Sequence, residues 1–155
     1  MHVSIISSLY FSEECIEEFC ARMQKSVESV TDSYEIILVD DGSPDQSYQR
    51  AQIIRESNNK IKLIQLSRNF GHHRAFFAGI QHSKGELIFL IDSDLQEQPE
   101  AFPEFYNLLS QQKNLDAVIG IQESRQSSLL DRISVLYYQL FNKLSDGAYQ
   151  KESQM

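Results

Sequence analysis

Two short acidic runs each follow an apolar stretch. Asp40-Asp41 closes Glu35-Ile36-Ile37-Leu38-Val39, and Asp92-Ser93-Asp94 closes Glu86-Leu87-Ile88-Phe89-Leu90-Ile91. Carboxylates held close together repel and raise one another's pKa. A divalent cation removes that conflict. Mg2+ or Mn2+ takes hard oxygen ligands, usually one or two carboxylates completed by substrate phosphates. Asp92, Asp94 and Gln96 alternate, so an extended segment would send two carboxylates and an amide oxygen to one side. A plainer use competes with this one. Aspartates after a strand often only make a turn or cap the next helix, and Asp41-Gly42-Ser43 suits that use better than Asp92-Ser93-Asp94-Leu95-Gln96.

Other phosphate-binding devices are missing from the sequence. No glycine-rich dinucleotide loop follows a strand-like run, and no Lys-Ser or Lys-Thr pair follows a glycine loop. Phosphates must then be met through a metal, helix N-termini and scattered basic groups, for which Arg68, Arg74, Arg125 and Arg132 are candidates. His72 and His73 open a predicted helix after Asn69-Phe70-Gly71. Adjacent side chains diverge, so a metal site made by this pair is disfavoured. Helix capping or surface contact competes with substrate contact there.

The elements that must position these residues alternate along the chain. Val3–Ser7, Glu35–Val39, Ile61–Leu66, Glu86–Ile91 and Asp116–Ile121 read as strands. Between them, Ser12 reads as a helix N-cap with Glu13 and Glu14 in the first turn. Ile16, Phe19, Cys20, Met23, Val27 and Val30 then recur at helical spacing. Further helices are predicted over Gln46–Glu56, His72–His82 (ended by a left-handed cap at Gly85), Pro99–Gln112 and Leu129–Leu144. The second, fourth and fifth strands are nearly continuous apolar runs, as in a parallel sheet covered on both faces. The fold class expected is α/β: an open, mostly parallel, three-layer α/β/α sheet. In such sheets ligands bind beyond the carboxyl ends of the strands, where both acidic runs lie.

The chain has 155 residues, a formal net charge of −8, 41% hydrophobic and 23% charged residues. That is one domain's worth of ordinary globular composition. The charge argues against a nucleic-acid partner, which needs clustered Lys and Arg. Cys15 and Cys20 sit five residues apart on a predicted helix, turned about 140° from each other, so they do not bridge. Two lone thiols suit a reducing compartment. No secretory signal and no run of about 18 apolar residues is present. The expected location is the cytoplasm, with peripheral attachment at the inner face of the membrane as a variant.

Taken in order, the motifs resemble the family 2 glycosyltransferases of the GT-A fold, and among them the polyprenol-phosphate (dolichol-phosphate mannose synthase-like) branch. The matching stretches are Val3-Ser4-Ile5-Ile6, Leu9-Tyr10-Phe11-Ser12-Glu13-Glu14, and Tyr34-Glu35-Ile36-Ile37-Leu38-Val39-Asp40-Asp41-Gly42-Ser43. Leu66-Ser67-Arg68-Asn69-Phe70-Gly71-His72-His73, Gly79, Ile91-Asp92-Ser93-Asp94-Leu95-Gln96-Glu97 and Pro99-Glu100 complete them. The resemblance implies a UDP- or GDP-linked sugar donor, an acceptor such as a polyprenyl phosphate, and Mg2+ or Mn2+. Asp40 would accept hydrogen bonds from the base near the Leu9, Tyr10 and Ser12 backbone, with Ser93 beside the nucleotide. Asp41 would fix that loop or the nucleoside. Asp92, Asp94 and Gln96 would hold the metal against the diphosphate, Asp92 and Asp94 being the catalytic pair. Arg68, His72, Arg125 and Arg132 remain for acceptor or phosphate contacts.

The sequence departs from that branch at three places. Its Pro-Val-Tyr-Asn opening is Ser8-Leu9-Tyr10-Phe11 here. Ile121-Gln122 stands where an Arg near Gly120 is common. The match fails after Leu144-Ser145-Asp146-Gly147, so a C-terminally short, truncated form is expected, with residues 1–145 as the nucleotide-sugar domain and 146–155 as a disordered polar tail. The predicted last helix shows a wide apolar face, which packs on the sheet or meets a membrane surface or a second copy. Two alternatives stay open: a nucleotide-sugar and metal-binding module without turnover, and a phospho-acceptor, receiver-like signalling domain.

Overall fold

The computed structural model describes residues 2–112 and 114–121. The chain divides into two units, Met1–Val118 and Ile119–Met155. The first contains β1 (Val3–Leu9), α1 (Ile16–Glu28), β2 (Tyr34–Asp40), α2 (Ser47–Ser57), β3 (Ile61–Gln65), α3 (His72–His82), β4 (Leu87–Leu90), a 3-10 turn (Pro99–Ala101) and α4 (Phe102–Gln111). The predicted last helix and tail, with Arg125 and Arg132, lie outside the described residues.

All strand pairs are parallel, in the order β3-β2-β1-β4. The alternation of side chains along β1 and β2 builds two cores. Val3, Ile5, Ile36 and Leu38 face α1 and α4, burying Ile16, Phe19, Met23 and Phe102. Ile6, Ile37 and Val39 face the other way, against Ala75 of α3. This is the three-layer sheet expected from the sequence. Gly79 sets the helix-to-sheet distance on the α3 side. A Cβ there would collide with the Ile6 side chain at 2.3 Å and press on Val39 at 3.2 Å.

Several local expectations are corrected. Asp116–Ile121 forms no strand, and Ile119 and Ile121 are largely exposed. Its apolar composition supplies β propensity, but a strand also needs a partner ladder. Among the described residues β4 pairs only with β1, and its Ile88 and Leu90 are part-exposed, so it is not covered like β2. Ser12 is not the N-cap of α1. The helix starts at Ile16 behind Cys15, and Glu17 and Glu18 supply the first-turn charges. The Ser12 hydroxyl is engaged elsewhere, as described below. Gly85 does not take a left-handed cap. It is required because a Cβ would strike the Ser4 backbone.

At the edge opposite the acidic runs, Glu35 is buried and accepts hydrogen bonds from Ser4 Oγ at 2.6 Å and Lys84 N at 2.7 Å, with Lys62 Nζ as its ion-pair partner. This ties three neighbouring strands to the turn before β4.

Both thiols are free, Cys20 buried and Cys15 half-buried. Burial pushes the Cys20 thiol up to about 12, consistent with a small apolar side chain.

Candidate functional site

β1 and β2 run in register to their ends, so Leu9 pairs with Asp40. Leu9 itself is fully buried. Its carbonyl accepts the Asp41 N–H at 3.0 Å, which leads the chain straight into the acidic turn. The two aspartates then behave differently. Asp41 Oδ1 accepts the Phe70 N–H at 2.8 Å and Oδ2 the Gly71 N–H at 2.9 Å. It fixes the loop between β3 and α3. Gly42 (φ +64) lets that loop pass, since a Cβ would lie 2.5 Å from the Arg68 carbonyl carbon.

Asp40 is 1% exposed. Its Oδ1 accepts the Ser43 N–H at 3.3 Å. The Gln65 side chain and the Gly42 backbone also approach the carboxyl, yet Oδ2 is buried and makes no well-formed hydrogen bond among the described residues. Burial pushes this carboxyl up, and the charge of Asp45 adds to the rise. A buried acceptor without a donor is costly.

The turn after β1 completes this corner. Tyr10 and Phe11 are exposed, with ring centroids 4.8 Å apart, edge to face. Ser12 is buried: its N–H donates to Ser47 Oγ at 2.8 Å, and its Oγ accepts the Tyr10 N–H at 3.2 Å. Ser93 Oγ donates to the Ser8 carbonyl at 2.9 Å and lies 2.9 Å from Ser12 Oγ. Each hydroxyl has one proton, so Ser12 donates to Ser93. Both serines are internal ties between the ends of β1 and β4.

Beyond β4, residues 92–97 form a turn rather than an extended segment. Leu95 has φ +61, and the Gln96 N–H folds back to Asp94 Oδ1 at 3.0 Å. The strict alternation expected for Asp92, Asp94 and Gln96 is therefore absent. Asp92 is half-exposed; its N–H donates to Glu97 Oε2 at 3.3 Å and its Oδ1 lies 3.5 Å from His72 Nδ1. The two neighbouring imidazoles are edge to face at 4.2 Å. Asp94 is exposed and near Cys15, whose thiol is pushed up by burial and by the Asp94, Glu14 and Asp45 charges.

The four aspartates share one rim but do not converge on one point. β1 lies between β2 and β4, so two sheet spacings, roughly 9.5 Å, separate Asp40 from Asp92. Among the described residues no three His, Cys, Asp or Glu side chains gather to hold a metal. Asp92 and Asp94 still offer hard carboxylate oxygens on an open side. That donor set fits an ion that brings phosphate oxygens as its other ligands. Arg68, exposed on the loop held by Asp41, stacks over Phe70 at 4.2 Å. His72 sits beside Asp92; Arg74 is exposed on the first turn of α3.

Three contributors were missed from the sequence. Asp45 Oδ1 accepts the Ser43 hydroxyl at 2.5 Å and the Ser47 hydroxyl at 2.6 Å, and Oδ2 accepts the Glu13 N–H at 3.2 Å. The Asp45-Gln46-Ser47 pattern ahead of a helix was a usable capping signal. The Glu97 contact with Asp92 and the left-handed Phe11 left no such trace.

The sequence profile described as Glycosyl transferase family 2 matches residues 4–152. The chain belongs to this family. A Mycobacterium tuberculosis (strain CDC 1551 / Oshkosh) protein named as a glycosyltransferase is 42% identical over 130 residues, 84% of this chain and 38% of that protein. The undecaprenyl-phosphate 4-deoxy-4-formamido-L-arabinose transferase of Edwardsiella ictaluri is 36% identical over 134 residues, 84% of this chain and 40% of its own length. The family 2 chain thus spans about two fifths of these relatives. In fold it resembles S. aureus TarS 1-349, with TM-score 0.62 and 24% identity over 81% of this chain and 39% of that one. It also resembles the mannosyltransferase PcManGT of Pyrobaculum calidifontis, solved with GDP-Man and Mn2+, with TM-score 0.63 and 20% identity over 70% of this chain and 32% of that one. Membership in family 2 removes the receiver-like alternative. Among the described residues no helix is long and apolar enough to cross a membrane.

Proposed function

We propose that this chain binds a nucleotide-diphosphate sugar together with Mg2+ or Mn2+ and supplies the donor site for sugar transfer to a lipid-phosphate acceptor such as a polyprenyl phosphate. The observation that carries the reading is the unpartnered Oδ2 of buried Asp40, set two strands away from half-exposed Asp92 and exposed Asp94. A base N–H satisfies the first, and a ribose and phosphate span the width of β1 to the second. Asp92 and Asp94 would hold the cation. When bound, the cation screens the diphosphate and stabilises it as a leaving group. Arg68 and His72 are placed to meet further phosphate or acceptor oxygens. Three names support the choice of ligands: an arabinose transferase relative named for undecaprenyl phosphate, a fold neighbour solved with GDP-Man and Mn2+, and TarS 1-349 solved with UDP. A lipid phosphate is already ionised, so attack on the anomeric carbon needs little help from a general base. Work at the inner face of the membrane follows from such an acceptor.

Calorimetric titration of UDP and GDP, with and without Mn2+, against the wild type and Asp94→Asn tests the donor site. Binding that needs Mn2+ and weakens about tenfold or more in the variant is expected. Binding indifferent to both changes would refute it. Metal-dependent binding with no transfer to any lipid phosphate would select the binding-module reading instead.

A further inference from the structure

The acidic turn after β4 is pinned at both ends. At its start Ser93 is tied to Ser12 and to the Ser8 carbonyl. At its far end two side chains of α1, one helical turn apart, take hold of it. The buried Ser26 hydroxyl donates to the Pro99 carbonyl at 2.6 Å. Arg22 donates to Glu100 as a fork, Nε to Oε1 and Nη2 to Oε2, both at 2.7 Å, and its Nη1 donates to Glu18 at 3.1 Å. Two parallel charge-assisted bonds fix direction as well as distance.

The fork is not needed to seat α1, which Phe19, Met23 and Val27 already bury on the sheet. Arg22 is half-buried and Glu100 exposed, and an ion pair so placed adds little to stability. What stands between the two pins does need holding. Leu95 has φ +61, and a bulky residue keeps such a conformation only where its surroundings over-determine it. Both acids are coupled to the second half of the turn: the Asp92 N–H donates to Glu97, and Asp94 Oδ1 accepts the Gln96 N–H. A shift at residues 97–100 therefore reaches both carboxylates. We infer that Arg22 is a positioning residue, whose fork onto Glu100 holds the acidic turn in the shape that presents Asp92 and Asp94 to the divalent cation. The inference rests on the donor-site reading above. It gives Arg22 no contact with metal, sugar or phosphate.

The test titrates Mn2+ into the whole chain with UDP or GDP present and reads free Mn2+ by electron paramagnetic resonance. Arg22→Met and Glu100→Gln break the fork from either side. Glu18→Gln removes the neighbouring ion pair and leaves the fork. Expected are Mn2+ affinities about tenfold weaker in both fork variants, a double variant no weaker than either alone, and wild-type affinity in Glu18→Gln. Melting temperatures should stay close to wild type. In the metal-free protein the Gln96 amide should exchange faster in the fork variants, which marks a displaced turn rather than a lost charge. Wild-type Mn2+ affinity in either fork variant, equal weakening in Glu18→Gln, or a loss that only tracks a fall in melting temperature would overturn the role of Arg22 and leave the donor site standing. Absence of Mn2+ binding by the wild type would remove both.

Discussion

Ser93 Oγ and Ser12 Oγ lie 2.9 Å apart, both buried, and the proton runs from Ser12 to Ser93 and on to the Ser8 carbonyl. The pair joins the turn after β1 to the turn after β4. Ser93→Ala leaves the Ser8 carbonyl and the Ser12 hydroxyl without this partner. A loss of about 1–3 kcal/mol is expected in denaturant unfolding, and its absence would mean that water replaces the tie.

Asp40→Asn should separate stability from binding. Burial raises the native pKa of Asp40 above the ordinary 3.8. Below that value both states are protonated and nothing is lost. As pH rises through the native pKa, the fold must carry a buried charge, and stability falls. The amide avoids that charge. The variant is therefore expected to melt higher than wild type near neutral pH, to lose this part of the pH dependence, and to bind UDP or GDP at least about tenfold more weakly. Calorimetry and thermal melts across pH read both effects.

Asp41→Asn strikes the loop rather than the ligand. One of the two backbone donors, Phe70 N–H or Gly71 N–H, would face an amide NH2 instead of an oxygen. Stability should drop by about 1–3 kcal/mol. Hydrogen exchange at Phe70 and Gly71 should quicken while β2 stays protected. Unchanged exchange there would show that the carboxylate does not hold the loop.

Glu35 contributes to the acid limb. Burial pushes its carboxyl up, but hydrogen bonds from Lys62, Ser4 and the Lys84 N–H outweigh burial and leave it below its ordinary 4.5. The stability it adds is full above that value and is lost as pH falls through the lower native pKa. Glu35→Gln should destabilise the protein at pH 7 by about 1–3 kcal/mol and lessen the further loss between pH 5 and the native pKa. Parallel unfolding curves for the two proteins over that range would contradict the ion-pair account.

The layered sheet was legible because its causes are local and periodic. The runs Ile36–Val39 and Ile5–Ile6 are continuously apolar, as strands covered on both faces must be, and Ile16, Phe19, Met23 and Val27 recur at the helical period; the structure buries them all. What was not legible depends on pairing and on backbone sign. Asp116–Ile121 has the composition of a strand and no ladder. Asp92 to Gln96 reads as alternating until Leu95 turns left-handed. The two acidic runs were expected to meet at one ion, but strand order, which periodicity does not encode, inserts β1 between them.

Gly79 gives α3 a pivot. The helix comes down on Ile6 and Val39 here with no side chain between, one turn after Ala75 packs on the same layer. His72, seven residues earlier, lies about 10 Å along the same rigid rod, and it faces Asp92. Wedging a methyl group under residue 79 would tilt the rod and swing its far end across the acidic turn. Damage deep in the apolar layer would then surface as a disturbed carboxylate at the rim, with the two events connected by leverage alone.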